Sequence, residues 1–261
     1  MDDEVLKPLM GRVALVTGVS RRIGIGFAIA QRLASFGADL FIHSYAPFDA
    51  EQPYGGDPQG ILVILETLRS LGVRVEHREA NFMDADAPQE LIAAAVRTFG
   101  HLDILVANHA YSTSTPLEEL KAEEIDRHLL VNVRATLMLI KGFAAQHDGR
   151  PGGRIVIMTS GQQGSPMPSE LAYIASKGAL YPLTLSLSAY LARRGITVNA
   201  VNPGATDTGY ASPELYRIVL ELELQGRWGA PQDAARLVAW LCTDDAQWIT
   251  GQTINSTGGG P

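Results

Sequence analysis

Tyr173 and Lys177, in the segment Ala172-Tyr173-Ile174-Ala175-Ser176-Lys177, are the residues best placed by type and spacing to do chemistry. In a helix, positions i and i+4 share a face, with Cβ atoms about 5–6 Å apart. The ammonium then stands beside the phenol and favours its ionised form. A free tyrosine titrates near pH ~10, so proton transfer near neutrality needs a shift of roughly three units, about 4 kcal/mol. A neighbouring lysine and a cationic ring could together supply that. Thirteen residues upstream, Ser160 follows the apolar run Ile155-Val156-Ile157-Met158, where a strand would deliver its hydroxyl. Tyr-x-x-x-Lys alone is common on half-exposed helices, so its weight depends on the elements around it.

Those elements alternate. Val13–Thr17, Asp39–His43, Arg74–Glu76, Ile104–Ala107, Ile155–Thr159, Thr197–Val201 and Thr253–Ile254 read as strands. Between them Gly26–Phe36, Gln59–Leu71, Ala87–Phe99, Ala122–Ala145, Leu171–Arg194 and Pro231–Cys242 read as helices. Apolar runs without alternation suit strands covered on both faces. Strand-then-helix order implies right-handed crossovers and an α/β fold, a Rossmann-like doubly wound parallel sheet of seven strands with helices on both faces. No repeat or composition break marks a linker, so residues 1–261 read as a single domain. Two loops are long: Ala46–Gly60, which reads as a surface excursion, and Gly209–Gly229, a candidate substrate lid. In such a sheet both lie at the carboxyl edge, where ligands bind.

The first βα turn is glycine-rich. Gly18-Val19-Ser20-Arg21-Arg22-Ile23-Gly24-Ile25-Gly26 joins a buried strand to a helix. Glycine permits the tight turn and close approach of a pyrophosphate, which the helix N-terminus attracts. Cofactor choice depends on charge at the end of the second strand. There the chain has His43-Ser44-Tyr45 and no carboxylate before Asp49, while Arg21 and Arg22 stand in the glycine turn. A guanidinium can grip a phosphate, so NADP(H) is favoured over NAD(H).

Composition excludes other classes. The chain of 261 residues is 46% apolar and 19% charged, ordinary for a globular protein. A net charge of −7 argues against a nucleic-acid partner. The single cysteine, Cys242, sits in an amphipathic stretch and gives neither a disulfide framework nor a Cys-rich metal site. The scattered histidines lack ligand spacing, so no catalytic metal is expected. The acidic start, Met1-Asp2-Asp3-Glu4, lacks a secretory pattern, and no run of 18 apolar residues appears. These features point to the cytoplasm and no membrane.

With these pieces in place the chain resembles the short-chain dehydrogenase/reductase family in its compact Tyr-x-x-x-Lys form, closest in flavour to 3-oxoacyl-(acyl carrier protein) reductase-like members. The resemblance runs from the glycine turn through Asn108-His109-Ala110, Asn132, Ser160, Tyr173, Lys177 and Asn202-Pro203-Gly204 to Trp248-Ile249-Thr250-Gly251-Gln252. Three departures stand out. The glycine turn is two residues longer than the family's commonest Thr-Gly-x-x-x-Gly-x-Gly, resembling enoyl reductases of the superfamily, whose tyrosine and lysine lie further apart. His109 replaces a usual glycine, and Asn81-Phe82 stands where many members have an aspartate.

The resemblance implies roles by residue. Tyr173 is the general acid/base, Lys177 lowers its pKa and holds the nicotinamide ribose, Ser160 holds the substrate oxygen, and Asn132 binds a relay water. Ser20, Ile23, Ile25, Ser44, Tyr45 and Val131 would contact the cofactor, with the amide of Asn81 and neighbouring Phe82 at adenine. Asn108 would sit near the adenosine ribose, and Pro203, Gly204, Thr206 and Thr208 would face the nicotinamide carboxamide. The activity implied is NADP(H)-dependent interconversion of a carbonyl and a secondary alcohol, with 3-oxoacyl thioesters among the substrates. The alternatives are a non-catalytic dinucleotide-binding regulator or scaffold, and an enoyl (C=C) reductase. Gln162–Glu170 and Gly209–Gly226 would choose the small-molecule substrate, and a homo-oligomer, tetramer or dimer, is expected.

Overall fold

The computed structural model describes residues 7–161, 164 and 166–260. Seven parallel strands form one sheet in the order β3-β2-β1-β4-β5-β6-β7. They are β1 (Val13–Val16), β2 (Asp39–Ser44), β3 (Val75–Glu79), β4 (Ile104–Ala107), β5 (Gly153–Met158), β6 (Ile196–Asn202) and β7 (Thr253–Asn255). Every residue of β1, β4, β5 and β6 is buried. This is why those segments carry Val, Ile and Leu without alternation.

Helices cover both faces. On one, α1 (Ile25–Ser35), α3 (Gly60–Arg69) and α9 (Pro231–Leu241) pack Leu33, Ile64, Leu68 and Val238 against the sheet, with Cys242 buried beside them. On the other, α4 (Ala87–Phe99), α6 (Ala135–Gln146) and α7 (Leu171–Leu191) contribute Leu91, Leu139, Phe143 and Leu180. The strand order reverses between β1 and β4, so the carboxyl ends of these neighbours open the crevice in which such sheets bind ligands.

The structure departs from the sequence reading in three places. The segment expected as one helix over 122–145 is α5 (Ala122–His128), a π turn over Leu129–Arg134, then α6. The whole run Ala122–Gln146 is long and apolar enough to cross a membrane, yet Leu139, Ile140 and Phe143 are buried against the sheet, as in a core helix. The loop 46–60 contains a short helix, α2 (Ala46–Glu51), with Pro47 in its first turn. The lid contains α8 (Pro213–Leu222), capped by the Ser212 hydroxyl accepting from the Leu215 amide at 3.1 Å. No residue of α8 is buried, although Leu215, Ile218 and Leu222 give it an apolar face.

Candidate active site

The glycine turn bends at Gly18, whose φ of 73° only glycine adopts easily. A Cβ on Gly26 would lie 2.2 Å from the Gly18 carbonyl oxygen, so strand and helix meet there without room for a side chain. Asn108, after β4, ties the turn down: its amide donates to the carbonyls of Thr17 at 3.0 Å and Gly18 at 3.1 Å. Both amide hydrogens are thus used inside the protein. Helix α1 begins after Gly24 with no side-chain cap and no acid in its first turn. Its free N–H groups and positive dipole end are a seat for an anion.

A cleft of about 500 Å³ opens above this turn. Of the expected cofactor residues, Gly18, Ser20, Arg21, Gly24, Ile25, Gly26, Tyr45, Asn81, Phe82, Asn108, His109, Ala110, Val131 and Thr208 line it. Asn81 turns its oxygen onto the Met83 amide at 2.9 Å, leaving its NH₂ group to face the cleft. A cleft of this volume lined by an uncapped helix N-terminus and an arginine fits a dinucleotide.

Other expected contacts lie elsewhere. Ser44 is buried with its hydroxyl 2.8 Å from His77 Nε2. Arg22 is spent on Asp57, to which its backbone N–H, Nε and Nη2 donate at 2.9, 3.0 and 3.1 Å. It is therefore no phosphate ligand in this arrangement. Ile23 is half exposed, beside Gly209. Thr206 donates to carbonyls of its own loop, those of Pro203 and Gly204, and Gly204 packs on Thr257. Pro203 faces a second cavity rather than the cleft. For Thr206 the cause is local: a short polar side chain in a tight loop satisfies the backbone beside it first.

Several cleft residues were missed. Phe48, Asp49, Glu51 and Tyr54 come from the 46–60 segment, which crosses the cleft instead of lying idle on the surface. Arg21 holds it: its Nη2 donates to the Thr208 carbonyl at 2.9 Å, its Nε lies 3.7 Å from Asp49, and its guanidinium sits 4.1 Å from the Tyr54 ring centre. Tyr111 and Arg127 close the far side. The signal available in sequence was the density of aromatic and acidic residues between Tyr45 and Asp57, set among turn-forming Pro and Gly.

His109 is buried at the back of the cleft. The π turn frees the Val131 carbonyl, since the Ala135 amide bonds to Leu130 instead, and His109 Nε2 meets that carbonyl at 3.0 Å. Nδ1 lies 2.8 Å from the Thr17 hydroxyl. Burial holds its pKa well below the ordinary value, so the ring is a neutral spacer with both nitrogens engaged.

The residues expected to do chemistry converge beyond the cleft. Tyr173 and Lys177 lie one turn apart on α7, and the Ser160 hydroxyl is near enough to the Tyr173 phenol to favour its ionised form. The Ser160 carbonyl accepts from the Tyr181 hydroxyl at 2.7 Å, fixing the end of the β5 connection. Asn132 is buried in the π turn. Its oxygen accepts from the Tyr111 amide at 2.8 Å, and its NH₂ donates to the Tyr111 carbonyl and the Ser176 hydroxyl, both at 2.9 Å. Both amide hydrogens are taken, so Asn132 clamps the β4 connection to α7, and a relay water would have to be met by an oxygen.

The electrostatics correct the sequence reading. Burial pushes the Tyr173 phenol up to about 12, against the downward pull of the Ser160 hydroxyl. Burial lowers Lys177 to about 8, and its ammonium donates to the Met158 carbonyl at 2.8 Å. Helical spacing brings Cβ atoms together, but a flexible stem lets the ammonium choose the carbonyl. An unfolded lysine keeps its proton to pH ~10.4, so between about pH 8 and 10 the unfolded state binds more protons and stability rises with pH. Below pH 8 the cost of burying the charge is fully present. The unliganded Lys177→Met variant should therefore melt above wild type at pH 7, with the gap closing towards pH 10. A pH-independent gap in thermal scans would contradict a buried charge at this position.

Comparison with known proteins agrees with this architecture. A family model described as Enoyl-(Acyl carrier protein) reductase matches residues 18–260. The Uncharacterized oxidoreductase YjdA of Bacillus subtilis (strain 168) is 39% identical over 250 residues, covering 95% of this chain and 96% of the relative. A short-chain dehydrogenase/reductase from Serratia marcescens superposes with a TM-score of 0.85 at 34% identity, covering 96% of this chain and 99% of that one. A blue fluorescent protein from a metagenomic library, solved in complex with NADPH, superposes at 0.86 with 30% identity, covering 97% and 98%. The chain belongs to the short-chain dehydrogenase/reductase family, oxidoreductases that bind nicotinamide dinucleotides.

Proposed function

We propose that the protein is an NADP(H)-dependent oxidoreductase that interconverts a carbonyl and a secondary alcohol, with Tyr173 as the general acid/base. The arrangement that carries this reading is Tyr173 on α7 with Lys177 one turn on and Ser160 just past the end of β5, beside a cleft fit for a dinucleotide. Gly18, Gly24, Ile25 and Gly26 would seat the pyrophosphate at the start of α1, and Thr208 the nicotinamide end. When bound, the nicotinamide supplies or accepts the hydride. Ser160 orients the substrate oxygen and stabilises charge developing there. Tyr173, held protonated by burial, gives its proton to that oxygen during reduction and takes one back during oxidation. Lys177 would support the ionised phenol in the second direction once its ammonium turns from the Met158 carbonyl. Asn132 fixes the distance between these groups and the cleft.

NADP(H) is the preferred cofactor in this reading. Strand β2 ends without a carboxylate, Arg21 lines the cleft, and a relative of 30% identity was solved with NADPH. With Arg22 bound to Asp57, Arg21 is the arginine of the glycine turn that faces the cleft, where a 2′-phosphate would compete with Asp49 and the Thr208 carbonyl for its guanidinium. One charge-assisted bond contributes about 1.5–3 kcal/mol, so NADPH should bind at least about tenfold tighter than NADH. The test is a panel of ketones, sugars and a 3-oxoacyl thioester against NADPH, NADP, NADH and NAD, followed at the nicotinamide absorbance band. Equal use of NADH would remove the cofactor preference. Binding of the dinucleotide with no turnover of any carbonyl or alcohol would favour a regulator instead.

A second reading, reduction of a C=C bond, is favoured by the elongated glycine turn and by the description of the matched family model. Turnover of an enoyl thioester with none of a ketone would establish it. The exposed Leu185 and Tyr190 on α7 suit self-association across that helix, a tetramer or a dimer, in the same reading.

A further inference from the structure

The two arginines of the glycine turn are held in different ways. Arg22 is locked to Asp57 by three hydrogen bonds of 2.9, 3.0 and 3.1 Å. Arg21 is held loosely by its own carboxylate. Its Nε lies 3.7 Å from Asp49, near enough for attraction and too far for a good hydrogen bond. Its Nη2 donates to the Thr208 carbonyl at 2.9 Å, and the Tyr54 ring centre lies 4.1 Å from its guanidinium. Both side chains of the pair are sunken, at 13% and 14% exposure, so salt screens their attraction little. Among the described residues this is the only ion pair with both members on the wall of the 500 Å³ cleft. Strand β2 ends at Ser44 without an acid, and the short helix α2 turns the chain back so that Asp49 reaches the cleft instead.

We propose that Asp49 is a specificity-determining residue that sets the choice between NADP(H) and NAD(H), by neutralising Arg21 until a 2′-phosphate takes its place. This rests on the oxidoreductase reading above and deepens its cofactor preference. A phosphate oxygen meets a guanidinium at about 2.7–2.9 Å, a shorter and stronger contact than the 3.7 Å pair, so the exchange is favourable. Asp49 then stands beside the incoming phosphate as a like charge, which takes back part of the gain. NADH brings a 2′-hydroxyl instead, which donates to an acidic residue while that carboxylate keeps its arginine. The native pair therefore narrows the discrimination that Arg21 would give without it, and removing the charge at position 49 widens it.

The test measures dissociation constants of NADPH and NADH on the full-length protein by nucleotide fluorescence. Asp49→Asn, which keeps the shape of the side chain, should raise the ratio of NADPH to NADH affinity at least about tenfold, as one charge-assisted contact requires. Glu51→Gln removes a charge from the same wall. Glu51 is exposed and forms no ion pair with Arg21, so the ratio should move there by less than about threefold. Arg21→Gln should lower the ratio at least about tenfold. The ratio cancels any general loosening of the cleft, and thermal unfolding verifies folding. An unchanged ratio in Asp49→Asn, or an equal rise in Glu51→Gln, overturns the role of Asp49 and leaves the NADP(H) preference standing. An unchanged ratio in Arg21→Gln overturns the 2′-phosphate contact and the role of Asp49 with it. Failure of both nucleotides to bind the wild-type protein overturns the oxidoreductase reading itself.

Discussion

Tyr173→Phe should lower kcat for carbonyl reduction by about 10²–10⁴-fold, the usual contribution of a positioned general acid. The substitution removes one oxygen from a half-buried ring whose hydroxyl lies near that of Ser160. The ring keeps its edge-on contact with His128, at 6.4 Å, so packing on α7 is preserved. Dinucleotide affinity should remain within about threefold of wild type, because the phenol lies beyond the glycine turn that seats the pyrophosphate. Stopped-flow reduction with saturating NADPH separates the two quantities. Full turnover in Tyr173→Phe would transfer the proton donor to another residue and end the assignment made here.

The second large effect is expected at Gly26. An added Cβ would sit 2.2 Å from the Gly18 oxygen and 2.6 Å from Asn108 Nδ2. The first neighbour is backbone and cannot swing aside, so β1 and α1 must separate. Overpacking of this kind costs about 1–3 kcal/mol, and here it also displaces the N–H groups at the start of α1. Gly26→Ala should lose at least about 100-fold in NADPH affinity and melt several degrees lower. Gly56→Ala is the control: nothing lies within 4 Å of its added Cβ. Cofactor binding by Gly26→Ala equal to that of wild type, measured by nucleotide fluorescence, would mean that the turn is not the pyrophosphate seat.

Much of this architecture was legible before any coordinates. Buried parallel strands need runs such as Val13-Ala14-Leu15-Val16 and Ile155-Val156-Ile157-Met158, and the chain sets these runs between longer amphipathic segments. The association of Ser160, Tyr173 and Lys177 was legible for the same reason, because strand ends and helix spacing fix where side chains begin. Where they end was not. Lys177 reaches the Met158 carbonyl, Arg22 reaches Asp57, and Thr206 folds onto its own loop, each a local choice made by flexible or short polar groups. Helix α2 was hidden because its six residues bury nothing, and with it the carboxylate and rings that wall the cleft. Gln162 and Gln163, expected from the sequence to help choose the substrate, lie outside the described residues.

The π turn at Leu129–Arg134 has a consequence for how insertions and deletions are tolerated. One extra residue in a helix rotates everything after it by about 100°. Here that offset lets Asn132 point at α7 while Leu139 and Phe143, further along, still point into the apolar layer. A regular winding could satisfy only one of these two orientations. Shortening the chain by one residue within 129–134 would therefore leave a smooth helix whose two halves face incompatible directions, and lengthening it would do the same in the opposite sense.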